Sequence, residues 1–212
     1  MKTFEIITEA DARVLDVGSI VELADGGIVT PLAKDTLASR RITIVTSGAL
    51  DSSLAAGLVP AADVRRVTVG SDHSGLKLKA AIVQHLRGRG VAVTDIGTNT
   101  DEPVDYPDIA GAVAVSVARG EADAGVVIDG AGIGSAIAAN KVKGVRAAMC
   151  SDDTIARYSR EHNGANVMTL GATLLSQVDA IRILDVWLAT PMREPRYIRR
   201  LAKIKRLEER GC

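Results

Sequence analysis

The stretch Val126-Val127-Ile128-Asp129-Gly130-Ala131-Gly132-Ile133-Gly134-Ser135 decides how the rest of the chain is read. Apolar, β-branched residues run into a carboxylate, and alternating glycines then lead into the helix-like IAANK. That order predicts a buried strand, a tight turn and a helix N-terminus. Such a turn presents backbone N–H groups, and the helix dipole adds partial positive charge. A phosphate, or an oxyanion that forms only during a reaction, suits that environment. Asp129 is then expected at the carboxyl end of the strand, where open α/β sheets place their chemistry. The alternative is a turn that is glycine-rich only because it is closely packed.

Outward from this stretch the pattern alternates. Strands are expected at 67–71, 91–96, 125–129, 145–150 and 166–171. Helices are expected at 75–88, 107–119, 133–141, 152–162, 176–189 and 195–209. A strand followed by a helix, five times over, predicts a doubly wound, five-stranded parallel sheet. The composition agrees: 47% of residues are hydrophobic but only 2% are aromatic. The core must therefore be built from Val, Ile, Leu and Ala, as in strands covered on both faces.

Residues 1–48 read as a separate small module. Thr8-Glu9-Ala10-Asp11 is a helix-capping sequence. Residues 19–23 alternate like a strand, Asp25-Gly26-Gly27 reads as a turn, and Thr30-Pro31 opens a helix. A further strand is expected at 42–45. Residues 49–64 are small and low in charge, and read as a linker. Residues 65–212 hold the main domain.

The 26 basic and 26 acidic residues balance, which argues against a general nucleic-acid binder. No apolar run reaches the length of a membrane span, and no leader pattern is seen; a cytoplasmic protein is expected. The two cysteines, Cys150 and Cys212, form neither a disulfide framework nor a zinc pattern, so no metal is expected. Cys150 ends an apolar strand and reads as core.

Of three histidines, His73 follows the first strand of the main domain, in Ser71-Asp72-His73-Ser74-Gly75, and shares the sheet edge of Asp129. His162 ends a helix in Arg160-Glu161-His162-Asn163-Gly164, with Gly164 expected at the C′ position. His85 sits mid-helix and reads as a surface or packing residue. Arg196 and Arg200 are four residues apart and share a helix face; paired guanidinium forks suit a phosphate dianion. Their helix is charged all round, so a solvated face is the competing reading.

GSDHSG (70–75), VDYPDIA (104–110), GAGIGSAIAANKVKGVRAA (130–148), SREHNGANVMTLGA (159–172) and PRYIRR (195–200) together resemble the ribose-5-phosphate isomerase type B family, which includes the subunits of galactose-6-phosphate isomerase. The resemblance covers about two-thirds of the chain. It implies a Rossmann-like fold and a homodimer or dimer of dimers with shared sites. It also implies interconversion of aldose and ketose phosphates without a metal or other cofactor. Asp72 and His73 would bind and open the sugar ring, assisted by His162 beside Asn163 from the partner subunit. Gly130, Ala131, Gly132, Gly134 and Ser135 would surround the enediolate oxygen. Arg196 and Arg200 would hold the phosphate.

The sequence departs from the family at the proton-transfer position. Many members carry a cysteine where this chain has Asp129, and others a glutamate where it has Ser135. A threonine often found in the loop is Ala131 here. A thiol, with a pKa of about 8.5, must be activated, whereas a carboxylate is ionised at neutral pH. Asp129 is therefore read as the base, with a helix-capping Asp129 in a non-catalytic phosphosugar-binding or scaffold relative as the alternative. Ribose 5-phosphate is the default substrate, and another four- to six-carbon sugar phosphate the runner-up. A nucleotide-binding dehydrogenase is disfavoured by the glycine spacing. The segment GGIVTPLAKDTLASRRITIV and the Asp-Gly-Ala-Gly-Ile-Gly loop resemble sequences of bacterial-microcompartment enzymes. Residues 1–48 are accordingly read as a targeting or docking element for a shell or cargo partner, with an appended folded cap as the alternative.

Overall fold

The computed structural model of the chain describes residues 3–46, 57–61, 63–192 and 194–210. The chain divides into two compact units, Met1–Leu54 and Ala55–Cys212.

The first unit runs β1 (Thr3–Ile7), α1 (Glu9–Val14), β2 (Ile20–Val29), α2 (Pro31–Ser39) and β3 (Thr43–Thr46). Its three strands form a parallel sheet in the order β1-β2-β3. Phe4, Ile7, Val21, Leu23, Leu37 and Ile42 make its core. Thr8 closes a capping box with Asp11, and Pro31 opens α2, both as the sequence predicts. The turn expected at Asp25-Gly26-Gly27 is corrected, because β2 runs through it. Between the pairs Phe4↔Leu23 and Ile6↔Ile28, β1 advances two residues while β2 advances five. The surplus forms an irregular bulge, with Gly26 at φ 72°. Both neighbours of β2 are parallel to it, so the glycines serve a bulge inside a strand and no hairpin forms.

The second unit runs β4 (Arg66–Ser71), a 3-10 turn (His73–Gly75), α3 (Leu76–Gly88), β5 (Ala92–Gly97), α4 (Tyr106–Ala118), β6 (Ala124–Asp129), α5 (Ile133–Ala139), β7 (Ala147–Met149), α6 (Asp153–Glu161), β8 (Val167–Gly171), α7 (Gln177–Ala189) and α8 (Pro195–Arg210). The sheet is parallel throughout, in the order β5-β4-β6-β8-β7. One face is filled by Val67, Val69, Ile82, Val126, Ile128, Leu170 and Trp187, the other by Val113, Ala114, Val127, Ala139 and Val167. All six residues of β6 are buried, which is why this strand reads as an unbroken apolar run. From β4 the chain goes to β5 on one side and to β6 on the other. The carboxyl ends of β4 and β6 thus flank the switch point where ligands bind in open α/β sheets.

The expected elements are all present, with small shifts at their ends. The strand expected at 145–150 shortens to β7, because Val145 closes a turn onto the Val142 carbonyl. Helix α6 ends earlier than expected: His162 is its C-cap, Asn163 takes the C′ place, and Gly164 follows at φ 56°. Most of the expected linker, residues 49–56 and 62, lies outside the described residues. Residues 57–61 belong to the second unit, where Arg146 donates to the Leu58 carbonyl (2.9 Å) and Arg160 to that of Ala61 (3.0 Å).

Candidate active site

Two neighbouring strand ends build the carboxyl-edge half of the site. The Asp72 N–H donates to the Ile128 carbonyl at 3.2 Å, which ties the turn after β4 to the end of β6. One Asp72 oxygen accepts from the N–H of Ser74 (2.9 Å), from its hydroxyl (2.6 Å) and from the N–H of Gly75 (3.3 Å), so the carboxylate shapes the turn that carries His73. Nδ1 of His73 accepts from the Val104 N–H at 3.3 Å. In a neutral imidazole the proton is then on Nε2, which makes that nitrogen a donor.

Asp129 ends β6 almost fully buried, at 4% exposure. Its Oδ1 accepts from the N–H groups of Ala131 (2.8 Å) and Gly132. Its Oδ2 accepts from the N–H of Ser135 (2.9 Å) and from the Ser135 hydroxyl. All four lone-pair positions of the carboxylate therefore hold donors from the following loop and the first turn of α5. Gly132 has φ 79°, and a Cβ there would lie 3.0 Å from the Leu170 carbonyl carbon and 3.1 Å from Gly171 N. The loop is pinned from β8 and the turn after it as well, since the Thr169 hydroxyl donates to the Gly132 carbonyl (2.6 Å) and the Thr173 hydroxyl to that of Gly130 (2.7 Å).

The residues expected around the enediolate oxygen divide. Ala131 is exposed, Gly130 and Gly134 are half-buried, and Gly132 and Ser135 are buried. Three of the loop's N–H groups, on Ala131, Gly132 and Ser135, are turned onto the chain's own Asp129. Tyr106, the first residue of α4, had no role in the sequence reading. Its ring lies against Gly134, where a Cβ would come within 2.5 Å of it. The signal was the VDYPDIA stretch, whose tyrosine opens a helix beside the glycine loop.

His162, Asn163, Arg196 and Arg200 are not brought to this edge. Helix α6 starts beyond the carboxyl end of β7, and its nine residues run back over about 13 Å. The Gly164 carbonyl accepts from Nε of Arg146 (2.8 Å), and Arg146 precedes β7, so the His162 end of α6 lies at the amino edge. There the His162 ring is stacked on Tyr158, with ring centroids 4.5 Å apart, and lies tilted by 32° against Tyr197, with centroids 4.3 Å apart. The guanidinium carbons of Arg196 and Arg200 lie 4.7 and 5.7 Å from the centre of the Tyr197 ring. Nη2 of Arg196 also donates to the Tyr197 hydroxyl at 2.8 Å. The Asn163 amide donates to the Tyr158 carbonyl at 3.2 Å. The expected site thus consists of two groups at opposite edges of one sheet.

His85 pairs with Asp185 at 2.8 Å between α3 and α7, as a packing residue would. Cys150 is fully buried, and burial pushes its thiol up to about 11. Among the described residues, no cluster of three or more His, Cys, Asp or Glu is arranged to hold a metal ion. None of the described helices is long and apolar enough to cross a membrane.

Residues 67–204 match the family model described as ribose/galactose isomerase. The chain belongs to this family. It is 42% identical over 147 residues to ribose-5-phosphate isomerase B of Escherichia coli, spanning 69% of this chain and 99% of that protein. The structure of ribose-5-phosphate isomerase B from Clostridium thermocellum superposes with a TM-score of 0.67 at 45% identity, covering 68% of this chain and 98% of that one. The enzyme of the same name from Mycoplasma genitalium, solved with bound ribulose-5-phosphate, gives a TM-score of 0.66 at 38% identity, covering 69% and 97%. The family match starts after the first unit, which is an addition to the family domain.

Proposed function

We propose that this chain is an aldose–ketose isomerase of a sugar phosphate, with ribose 5-phosphate and ribulose 5-phosphate as the default pair. Another four- to six-carbon sugar phosphate is the alternative substrate. The observation that carries the reading is the convergence of Asp72 and His73 with Asp129 and the glycine loop at adjacent strand ends, in a chain of this family. In the proposed reaction the Nε2 proton of His73 is offered to a ring oxygen while the sugar opens. A base then takes the proton from C2, electrons shift into an enediolate, and the proton returns at C1. Asp129 is the proposed base. It must exchange one of its four donors for the substrate to do so.

Those four donors favour a second reading, in which Asp129 only shapes the loop and the chain binds a phosphosugar without turning it over. Turnover of ribose 5-phosphate in D2O with EDTA, followed by NMR for ribulose 5-phosphate and deuterium at C1, separates the two. The isomerase reading expects product from the parent and a loss of about 100-fold or more in Asp129→Asn. Full activity of that variant would remove Asp129 as the base. An inert parent that phosphosugars nevertheless stabilise against heat would favour the binding reading.

His162, Asn163, Arg196 and Arg200 are proposed to serve the site of a second copy, Arg196 and Arg200 gripping the phosphate. That arrangement makes the active form a homodimer or a dimer of dimers. Residues 1–48 are proposed as a docking module for a microcompartment shell or cargo protein, joined through 49–64 to the isomerase domain at 65–212.

A further inference from the structure

Residues 57–61 precede the family match, yet they are built into the amino edge of the second unit. Two arginines hold them by their carbonyls. Arg146 bridges the Leu58 carbonyl (2.9 Å) and the Gly164 carbonyl (2.8 Å). Arg160, only 1% exposed, bridges the Ala61 carbonyl (3.0 Å) and the Ala165 carbonyl (2.9 Å). Both guanidinium groups thus tie the strap to the turn that follows His162. Gly164 leaves no room between the two: a Cβ there would lie 2.9 Å from the Leu58 carbonyl oxygen and 2.7 Å from Leu201.

The Leu58 side chain is 4% exposed and belongs to a small cluster with Met192, Tyr197, Leu201 and Ala202. Tyr197 is the member that faces two ways. It is 6% exposed, its ring lies tilted against His162 with centroids 4.3 Å apart, and its hydroxyl accepts from Arg196. A buried ring fixed on its apolar side has few orientations left. Groups stacked on it or bonded to it share that fixity.

We propose that the strap 57–61 and Tyr197 form a positioning clamp that holds His162 and Arg196 in one rigid arrangement for the isomerase reaction. The clamp rests on the function proposed above. Tyr197 acts through its neighbours and is a positioning residue. Its ring sets the imidazole and also lies under the Arg196 guanidinium, to which its hydroxyl adds a hydrogen bond, so substitution separates the hydroxyl's part from the ring's. Tyr197→Phe keeps the ring and loses the hydroxyl. Tyr197→Leu loses both. Leu58→Ala leaves Tyr197 in place and removes its support from the strap.

The test uses the full chain with labelled histidines, of which there are only three. Stacked aromatic rings move the His162 ring-proton signals upfield. The clamp predicts that Tyr197→Phe keeps this shift. Tyr197→Leu and Leu58→Ala reduce it, while the His73 and His85 signals stay in place. If Tyr197→Leu disturbs all three histidines, Leu58→Ala alone decides. Unchanged His162 signals in Leu58→Ala would overturn the clamp. In kinetics on ribose 5-phosphate, Tyr197→Phe is expected to raise KM several-fold with kcat kept. Tyr197→Leu and Leu58→Ala are expected to lower kcat about tenfold. Identical kinetics for all three variants and the parent would also overturn it. A parent that turns over no phosphosugar counts against the isomerase reading, and the NMR comparison then still judges the clamp.

Discussion

Asp129 faces two donor pairs, Ala131 and Gly132 on one oxygen and Ser135 N–H and hydroxyl on the other. Asp129→Asn supplies one acceptor oxygen and one NH2 group. Turned toward Ser135, that NH2 can be accepted by the hydroxyl, which rotates, but the Ser135 N–H is left facing a donor. A buried donor without a partner costs about 1–3 kcal/mol, so Asp129→Asn should unfold at lower urea by that amount. Ser135→Ala removes one of the four donors and leaves no group unpaired, so its cost should be smaller. Equal stabilities of parent and Asp129→Asn would mean that the loop does not depend on the carboxylate. Cys150 gives a second prediction at this scale. Its buried thiol holds its proton to about 11, against an ordinary value of 9.0. The unfolded thiol therefore releases its proton first, and the native state loses relative stability as pH rises from 9 towards 11. In a Cys212→Ser background, a thiol reagent at pH 8 should leave the native protein unlabelled and find one thiol after denaturation.

The strand–turn–helix element of β6 and α5 depends on Gly132, whose φ of 79° an L side chain adopts at a cost. A Cβ there also presses on the Leu170–Gly171 backbone. Gly132→Ala is expected to lose roughly 1–3 kcal/mol and to show it in thermal unfolding. A melting temperature equal to that of the parent would contradict this. This element was legible in the sequence because its apolar run, carboxylate and glycines each have one local cause. The direction of the Asp129 carboxylate was not legible, because capping and base readings use the same residue in the same place. Asp25-Gly26-Gly27 misled for a related reason. Turns and bulges both draw glycine to positive φ, and only the parallel partners of β2 decide between them. Tyr158 stands four residues before His162 on α6, so its contact follows from helical spacing. Tyr197 carried no sequence signal as a partner of His162, because its contact depends on where α8 lies against α6, a tertiary relation that no local periodicity encodes.

At the scale of the whole molecule, one chain separates what the proposed reaction needs together. Asp72, His73 and the loop after Asp129 stand at the carboxyl edge of the second unit's sheet. His162, Asn163, Arg196 and Arg200 gather at the other edge, around or beside Tyr158 and Tyr197. The proposed twofold pair would resolve the separation, each copy lending its amino-edge group to the other's carboxyl-edge group. In such a pair His73→Ala spoils both sites of its own homodimer, and so does His162→Ala. A mixed dimer of the two variants behaves differently. One of its sites carries both substitutions and the other carries neither. With random exchange at equal amounts, half of the dimers are mixed, each with one intact site of two. Mixing the two inactive variants under conditions that exchange subunits should therefore restore about one quarter of the parent activity. Sites completed within one chain predict no recovery at any mixing ratio. Recovery that rises and falls with the fraction of mixed dimer would place the two groups of residues in one site made by two copies.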